Sequence, residues 1–273
     1  MERIRVDLVS GIILKIKVSF IFWRVGDREM YKPHTKWKVP QDNEKLWRYM
    51  DFTKFVDLLI SNSMFFCRID KFEDAFEGHP TKGTLKFAET VGNPYASVGY
   101  YDSVEYLQGL RKLYYINCWH QNDYESAAMW KLYLQSNEGI AIQTNFKRLK
   151  DSIIDKRGVT GGLVEYVDFE THEYWGDNLT EYFILKRLSF SHENEFRLFL
   201  IPESIPKEEH MKGIENGPFG SGSNVDFDIS QLIESVYVSP KSPGWFLELV
   251  KKTITQVSGL EIPVYQSDLS RIP

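Results

Sequence analysis

The sequence predicts an α+β fold, a mixed sheet with flanking helices in one domain, on three observations. Helix-like and strand-like apolar patterns interleave along the chain, so both element types must share a core. No internal repeat or linker-like stretch divides the chain. Its 273 residues, 42% hydrophobic and 26% charged, have an ordinary globular composition and can bury a core without disulfides or structural metals. The same composition excludes whole-chain disorder, collagen and coiled coil.

Residues 1–29 form an N-terminal extension with two readings. Leu14, Ile16 and Val18 alternate with Lys15 and Lys17, as in an added β-hairpin or strand; alternatively, Met30 is the natural start and the upstream part a translated leader. Lys15 and Lys17 also interrupt the apolar run from Val9 to Trp23, and no small-residue cleavage site follows. That argues against a signal peptide and against a membrane span, which needs about 20 apolar residues. Residues 30–273 are read as the domain proper.

Within that domain Leu46 to Met50 reads as a strand. Phe52, Phe55, Val56, Leu59 and Ile60 then recur at helical spacing behind Asp51 or Thr53 as a cap, and Met64 to Cys67 is the next strand. Phe72 to Gly99, rich in Gly, Pro and charge with a turn at Gly92, Asn93 and Pro94, reads as a long excursion over one face. Tyr114 to Trp119 is a buried strand, Ser126 to Leu134 a helix capped by Ser126, and Gly139 to Thr144 a further strand. Asn145 caps a helix to about Ile154 that turns Phe146, Leu149 and Ile153 inward. Strands at Leu163 to Val167 and Glu195 to Ile201 flank an aromatic-rich helical piece, and Pro202 to Gly222 is a surface loop. Strand Glu234 to Val238, helix Trp245 to Val257 and strand Ile262 to Tyr265 end the chain.

The 33 basic and 38 acidic residues give a net charge of −5, which leaves no general electrostatic grip on nucleic acid. Two cysteines, Cys67 and Cys118, permit neither a disulfide framework nor a four-Cys zinc site; both sit in apolar runs, are expected to be buried, and fit a reduced, cytoplasmic setting. No GxGxxG, Walker loop or Gly-flanked Ser elbow occurs, which argues against a Rossmann oxidoreductase, a P-loop NTPase and an α/β-hydrolase.

Three constellations carry chemistry. In KRLSFSHENEFRLFL, read as a strand, Glu193, Glu195 and Arg197 point one way and Phe196, Leu198 and Leu200 the other. The charged row is either a solvated sheet face or a carboxylate pair at the rim of a cleft, able to stabilise positive charge or take a proton. A zinc reading of His192, Glu193 and Glu195 fails, because adjacent strand residues face opposite ways and no second His stands at i+4. In the second constellation Ser126, Trp130 and Tyr133 share a helix side with Met129 beside them, either as core or as flat faces for a ring, and His120 stands past a strand end. In the third, Arg48 faces away from Trp47 and Tyr49 on an apolar strand and needs an anionic partner, either Asp70 or Asp74 or a ligand pyrophosphate.

The ordered blocks LWRYMDFTKFVDLL, FFCRIDKFEDAFEG, CWHQNDYESAAMWKLY, GIAIQT, KRLSFSHENEFR and VYVSPKSPGWFLELV, spanning roughly Leu46 to Leu269, resemble the bacterial domain of unknown function 2971. They are in turn similar to the ADP-ribosyltransferase layout of a first strand with Arg or His, a middle strand and helix with a polar and aromatic pair, and a late strand whose Glu sits in an acidic pair. The resemblance implies an ADP-ribosyltransferase-like split β-sandwich or mixed sheet. It also implies an NAD-dependent transferase without a metal, a bacterial toxin or phage-defence effector that modifies nucleic acid or protein and answers to an antitoxin or other regulatory partner, with no membrane partner.

Residue by residue, the resemblance has Arg48 bind the dinucleotide phosphates or ribose and Tyr133, with Trp130, stack on nicotinamide. It makes Glu195 the catalytic carboxylate beside the ribose and has Glu193 orient the acceptor. Tyr49, Trp119, His120, Ser126 and Arg197 complete the cofactor-binding set. Cys118, Trp119 and His120 stand where such transferases usually carry Ser or Thr, and Arg48 is followed by Tyr49, which depart from the layout.

Two rivals use the same residues. A nuclease or phosphodiesterase would employ His120 or His192 with Arg197 and Arg48, and a non-catalytic nucleotide-binding or interaction module would use the aromatic cleft alone. The patch Lys147, Arg148, Lys150, Lys156 and Arg157 is either a nucleic-acid contact or a solvated helix face.

Overall fold

Strand β1 (Lys45–Asp51) sends Leu46 and Met50 into the main core and Trp47 and Tyr49 to the opposite face, as period-two alternation requires. The structure, a computed structural model, describes residues 30–90, 108–134, 136–174, 179–200 and 217–270. The extension 1–29, the turn at Gly92 to Pro94 and most of the loop expected over 202–222 lie outside the described residues.

Helix α1 (Phe52–Ser61) follows β1 directly and buries Phe55, Leu58 and Leu59. Asn62, left-handed at φ 51°, ends it by donating its N–H to Leu58 O and turns the chain into β2 (Ser63–Arg68). The excursion after Phe72 is not all loop. It contains helix α2 (Lys82–Thr90), capped by Thr81, whose hydroxyl accepts the Thr84 amide at 3.1 Å. Strand β3 (Tyr115–Gln121), helix α3 (Ala127–Tyr133) and strand β4 (Gly139–Asn145) come next, with Ser126 capping α3 through the Met129 amide.

Helix α4 (Phe146–Asp151), capped by Asn145, stops short of the expected Ile154. Ile153 leaves it to bridge Phe227, and the Ile154 amide bonds Asp226 O. The single strand expected over Leu163 to Val167 is two, β5 (Val159–Leu163) and β6 (Glu165–Val167), because the Val164 amide between them turns to Glu195 O. Strand β7 (Leu185–Arg187) pairs with β6 in a small parallel sheet, and a 3-10 helix (Leu188–Glu193) leads into β8 (Glu195–Leu200). Glu193 therefore lies in that helix rather than on a strand. Strand β9 (Gly222–Asp226), helix α5 (Ile229–Leu232), strand β10 (Ser235–Val238), helix α6 (Gly244–Ser258) and strand β11 (Val264–Gln266) complete the order.

Among the described residues nine strands form one mixed sheet in the order β11-β10-β4-β1-β3-β2-β9, with β8 also on β3 and β5 beyond β8. All its pairings are antiparallel except β10 with β11. Helices α1 and α6 cover one face with the main core, where Phe55 and Leu58 join Phe246, Val250 and Ile254. The opposite face carries two smaller apolar clusters, one around Ile116, Phe183 and Phe199, the other around Trp47, Tyr49, Met129 and Trp130. The fold is thus α+β, a large mixed sheet with flanking helices. Among the described residues no helix is long and apolar enough to cross a membrane.

Candidate functional site

The sheet forks at β3. One edge of β3 pairs continuously with β8 from Tyr115 to His120. The other edge is shared: β2 takes it at Tyr115 and Ile116, and β1 takes it at His120 and Gln121. Between them Asn117, Cys118 and Trp119 meet no strand on that side. Buried backbone groups need partners, and two side chains supply them in place of ladder bonds. Arg48 Nη1 donates to Cys118 O at 2.5 Å, and Asn117 Nδ2 donates to Phe65 O at 3.0 Å. The fork opens into a cavity of about 400 Å³, within the range of small-molecule sites.

Beside it lies a buried charge network. Across β3 and β8, Glu195 stands opposite His120 and Arg197 opposite Cys118, so these four side chains share one face. Phe196, Leu198 and Leu200 enter the main core, as the alternation predicts. The reading of the charges as a solvated face is corrected: Glu195 is 4% exposed and Arg197 is fully buried. Arg197 donates to Glu195 Oε2 through Nη2 at 2.9 Å and Nε at 3.2 Å, to Phe183 O at 2.6 Å, and to Glu77. Lys186 Nζ bridges Glu193 Oε2 at 2.5 Å and Glu195 Oε2 at 3.3 Å.

Desolvation opposes the charge on Glu195, but Arg197 and Lys186 outweigh it and bring its pKa down to about 2. Glu193 goes the other way, because burial raises its pKa more than Lys186 lowers it. Burial also pushes the Cys118 thiol well up, with the Glu195 charge adding to the effect, so the thiol keeps its proton. Both cysteines are half-buried rather than buried, and both line the cavity.

Arg48 is half-buried at the fork. The carboxylates considered for it have other partners, Asp70 with Arg68 at 2.5 Å and Asp74 with Arg187 at 2.9 Å. Burial lowers the Arg48 pKa, while Cys118, Tyr133 and Glu195 act to raise it. Tyr133, 42% exposed, stands on the rim. Desolvation of its hydroxyl, then the fields of Cys118 and the two glutamates, keeps the phenol protonated. His120 is 5% exposed and its Nδ1 donates to Glu193 O at 2.5 Å. Desolvation lowers its pKa, so the imidazole is neutral at pH 7 and Nε2 carries a lone pair with no protein partner.

Arg48, Tyr49, Trp119, His120, Tyr133, Glu193 and Glu195 all line the one cavity. Arg197 stands behind it and holds Glu195. Ser126 and Trp130 are not among the lining residues. Ser126 caps α3 and its amide donates to Tyr49 Oη at 2.7 Å. Trp130 is buried edge-on against Tyr49, with Nε1 on Glu125 at 2.9 Å. Sequence reasoning gave no role to Glu77, Lys186 or Asn117, nor to Tyr166, whose hydroxyl accepts the Glu195 amide at 2.9 Å. Only the Lys in KRLSF carried a local signal, since a cation near two carboxylates is an expected neutraliser.

The basic patch is largely spent within the protein. Lys147 pairs with Asp151, Lys150 with Asp42 and Arg157 with Asp155, while Arg148 donates to Ser230 O and Ile233 O. Among the described residues no group of three or more His, Cys, Asp or Glu side chains is placed to hold a metal ion. No family model, curated protein or solved structure matches the chain.

Proposed function

We propose that the fork cavity is the active site of an NAD-consuming ADP-ribosyltransferase-like enzyme. The observation that carries this reading is convergence: Arg48, Tyr133 and Glu195, from three distant segments, line one cavity. In such a reaction the bond from ribose C1′ to nicotinamide breaks, its electron pair leaves with nicotinamide, and positive charge develops at C1′. A fixed, ionised carboxylate stabilises that charge. Glu195 is ionised far below neutral pH and is held through Oε2 by Arg197 and Lys186.

Tyr133 offers a protonated ring face to nicotinamide. Arg48 keeps guanidinium donors beyond the one on Cys118 O for phosphate. His120 Nε2 accepts a hydrogen bond from a ribose hydroxyl. Glu193, with its raised pKa, orients the acceptor and takes its proton as the acceptor nucleophile bonds to C1′. On this reading the split sheet is ADP-ribosyltransferase-like, and the protein is a toxin or phage-defence effector acting on nucleic acid or protein under a regulatory partner.

The test is incubation with NAD and candidate nucleic-acid and protein acceptors, reading nicotinamide release from the protein and from Glu195→Gln. A loss of about 10²-fold in the variant supports the reading. Zero release from both counts against it.

The hydrogen-bond saturation of Glu195 Oε2 favours a second reading, a non-catalytic nucleotide-binding module in which the network is structural. It predicts stabilisation by NAD that survives Glu195→Gln, with no turnover. A nuclease finds less support, because the neutral His120 has its one N–H committed to Glu193 O.

A further inference from the structure

Residues 72–79, the start of the excursion between β2 and α2, are held to the body by charge. No apolar side chain among them is buried; only Glu77 and Gly78 are. The Phe72, Glu77 and His79 amides donate to the Ile69, Asp74 and Phe76 carbonyls, and among the described residues no backbone bond joins the segment to the sheet. Three side chains fasten it instead, each to a different arginine. Asp74 Oδ1 accepts from Arg187 Nη2 of β7 at 2.9 Å, and Glu77 accepts from Arg197 of β8. His79 Nε2 accepts from Arg111 Nη1 at 2.8 Å, because a guanidinium can only donate. Gly78, left-handed at φ 71°, lets the chain lie flat among these latches, since a Cβ there would stand 3.0 Å from the Phe183 ring and 3.2 Å from Arg111 Cγ.

The segment meets the site twice. Phe72 lines the fork cavity. Glu77 shares Arg197 with Glu195, Nη1 going to Glu77 and Nη2 with Nε to Glu195. An ionic anchor of this kind releases more readily than an apolar one. When the segment lifts, Glu77 regains water while Arg197 keeps Glu195 and Phe183 O, and the desolvation cost of the buried carboxylate is recovered. Segments with few buried apolar contacts also open locally at far less than the cost of global unfolding. We infer that residues 72–79 are a strap that gates the fork. Latched, it sets Phe72 in the cavity wall and shuts water away from Arg197, which is fully buried behind Glu195. Released, it takes Phe72 off the wall and opens the cavity for ligand exchange, so the latched state is the working one. That the gating serves catalysis rests on the transferase reading, while the opening stands on the latches alone.

The experiment is native-state proteolysis of the full chain with a glutamate-specific protease, the products identified by mass spectrometry and the rate of cutting after Glu77 followed across low urea. Glu77 is 2% exposed, so that bond is cut only once the strap has lifted. The expected rate is nearly independent of urea, as for a local opening that exposes little surface. In Arg111→Met, which removes one latch far from the scissile bond in sequence, cutting speeds up about 10-fold, the weight of one hydrogen bond to a charged group. Saturating NAD slows it in the parent. Cutting that rises with urea as steeply as global unfolding overturns the inference, as does an Arg111→Met variant cut no faster than the parent. Cutting that NAD fails to slow, in a protein that releases nicotinamide, overturns the gating. The urea slope is read on the unaltered protein, so it decides the question even where the variant fails to fold. A flat slope with no nicotinamide release leaves the strap standing and sinks the transferase reading; release with a steep slope does the reverse.

Discussion

Replacing Arg197 by Met removes the cation on which two buried carboxylates depend. Glu77 and Glu195 are 2% and 4% exposed, and Glu77 has no other ion pair among the described residues. Breaking a buried pair by removing one partner costs about 3–5 kcal/mol, because the remaining charge stays desolvated. At about 2–4 °C per kcal/mol for a domain of this size, Tm falls by about 6–20 °C.

The pH dependence supplies a second check. In the native protein the Glu195 pKa of about 2 lies below the ordinary 4.5, so its contribution is present above pH 4.5 and is lost as pH falls through 2. In Arg197→Met, desolvation, the largest influence on Glu195, is no longer opposed by Arg197 while Lys186 remains, so the pKa rises from that depressed value. The penalty in the variant is therefore full where Glu195 is ionised and shrinks as Glu195 protonates. Urea denaturation followed by tryptophan fluorescence at pH 7 and pH 4 therefore shows a gap that narrows on acidification. A gap below about 1 kcal/mol at pH 7, or one of the same size at both pH values, refutes a charge network that is buried and ionised.

Arg48→Met removes the guanidinium at the fork and weakens NAD binding about 10- to 100-fold, the value of a charged hydrogen bond, as measured by calorimetry. Tyr133→Ala, at a rim position 42% exposed, shifts stability by no more than about 1 kcal/mol in denaturant but lowers nicotinamide release. Gly161→Val costs about 1–3 kcal/mol, because a Cβ there would stand 2.6 Å from the Phe196 ring of the main core; thermal unfolding measures it.

Local patterns revealed the elements whose burial is periodic. The spacing of Phe52, Phe55, Val56, Leu59 and Ile60 predicts α1, although the helix buries Phe55, Leu58 and Leu59 and leaves Ile60 exposed, and the capping residues Ser126 and Asn145 mark the starts of α3 and α4. Strand β5 was illegible because Gly161 and Gly162 carry no apolar side chain. They are small so that Phe196 and Trp37 can approach the backbone, a demand set by chain far away. Strand β9, Gly-Ser-Asn-Val-Asp, buries only Val225, so alternation never develops.

At the site, Arg48 stood out locally as an Arg on an apolar strand, whereas the helix ring Tyr133 and the carboxylate Glu195 read equally well as core and as a solvated face, and took their roles from the resemblance. Glu77, the second carboxylate on Arg197, left no such trace. Glu77 and Arg197 are 120 positions apart, and the fork exists only because β1 and β2 compete for one edge of β3. Trp130 and Tyr133 share a helix yet diverge in role, since Trp130 is drawn under Tyr49 while Tyr133 reaches the rim.

A crystal structure of Glu195→Gln with NAD puts the account to its most direct test. The account predicts the pyrophosphate on Arg48 and the nicotinamide ribose with its C1′ beside residue 195, inside the fork of β1, β2 and β3. NAD lodged on another surface, or a fork still empty at saturating NAD, would contradict it.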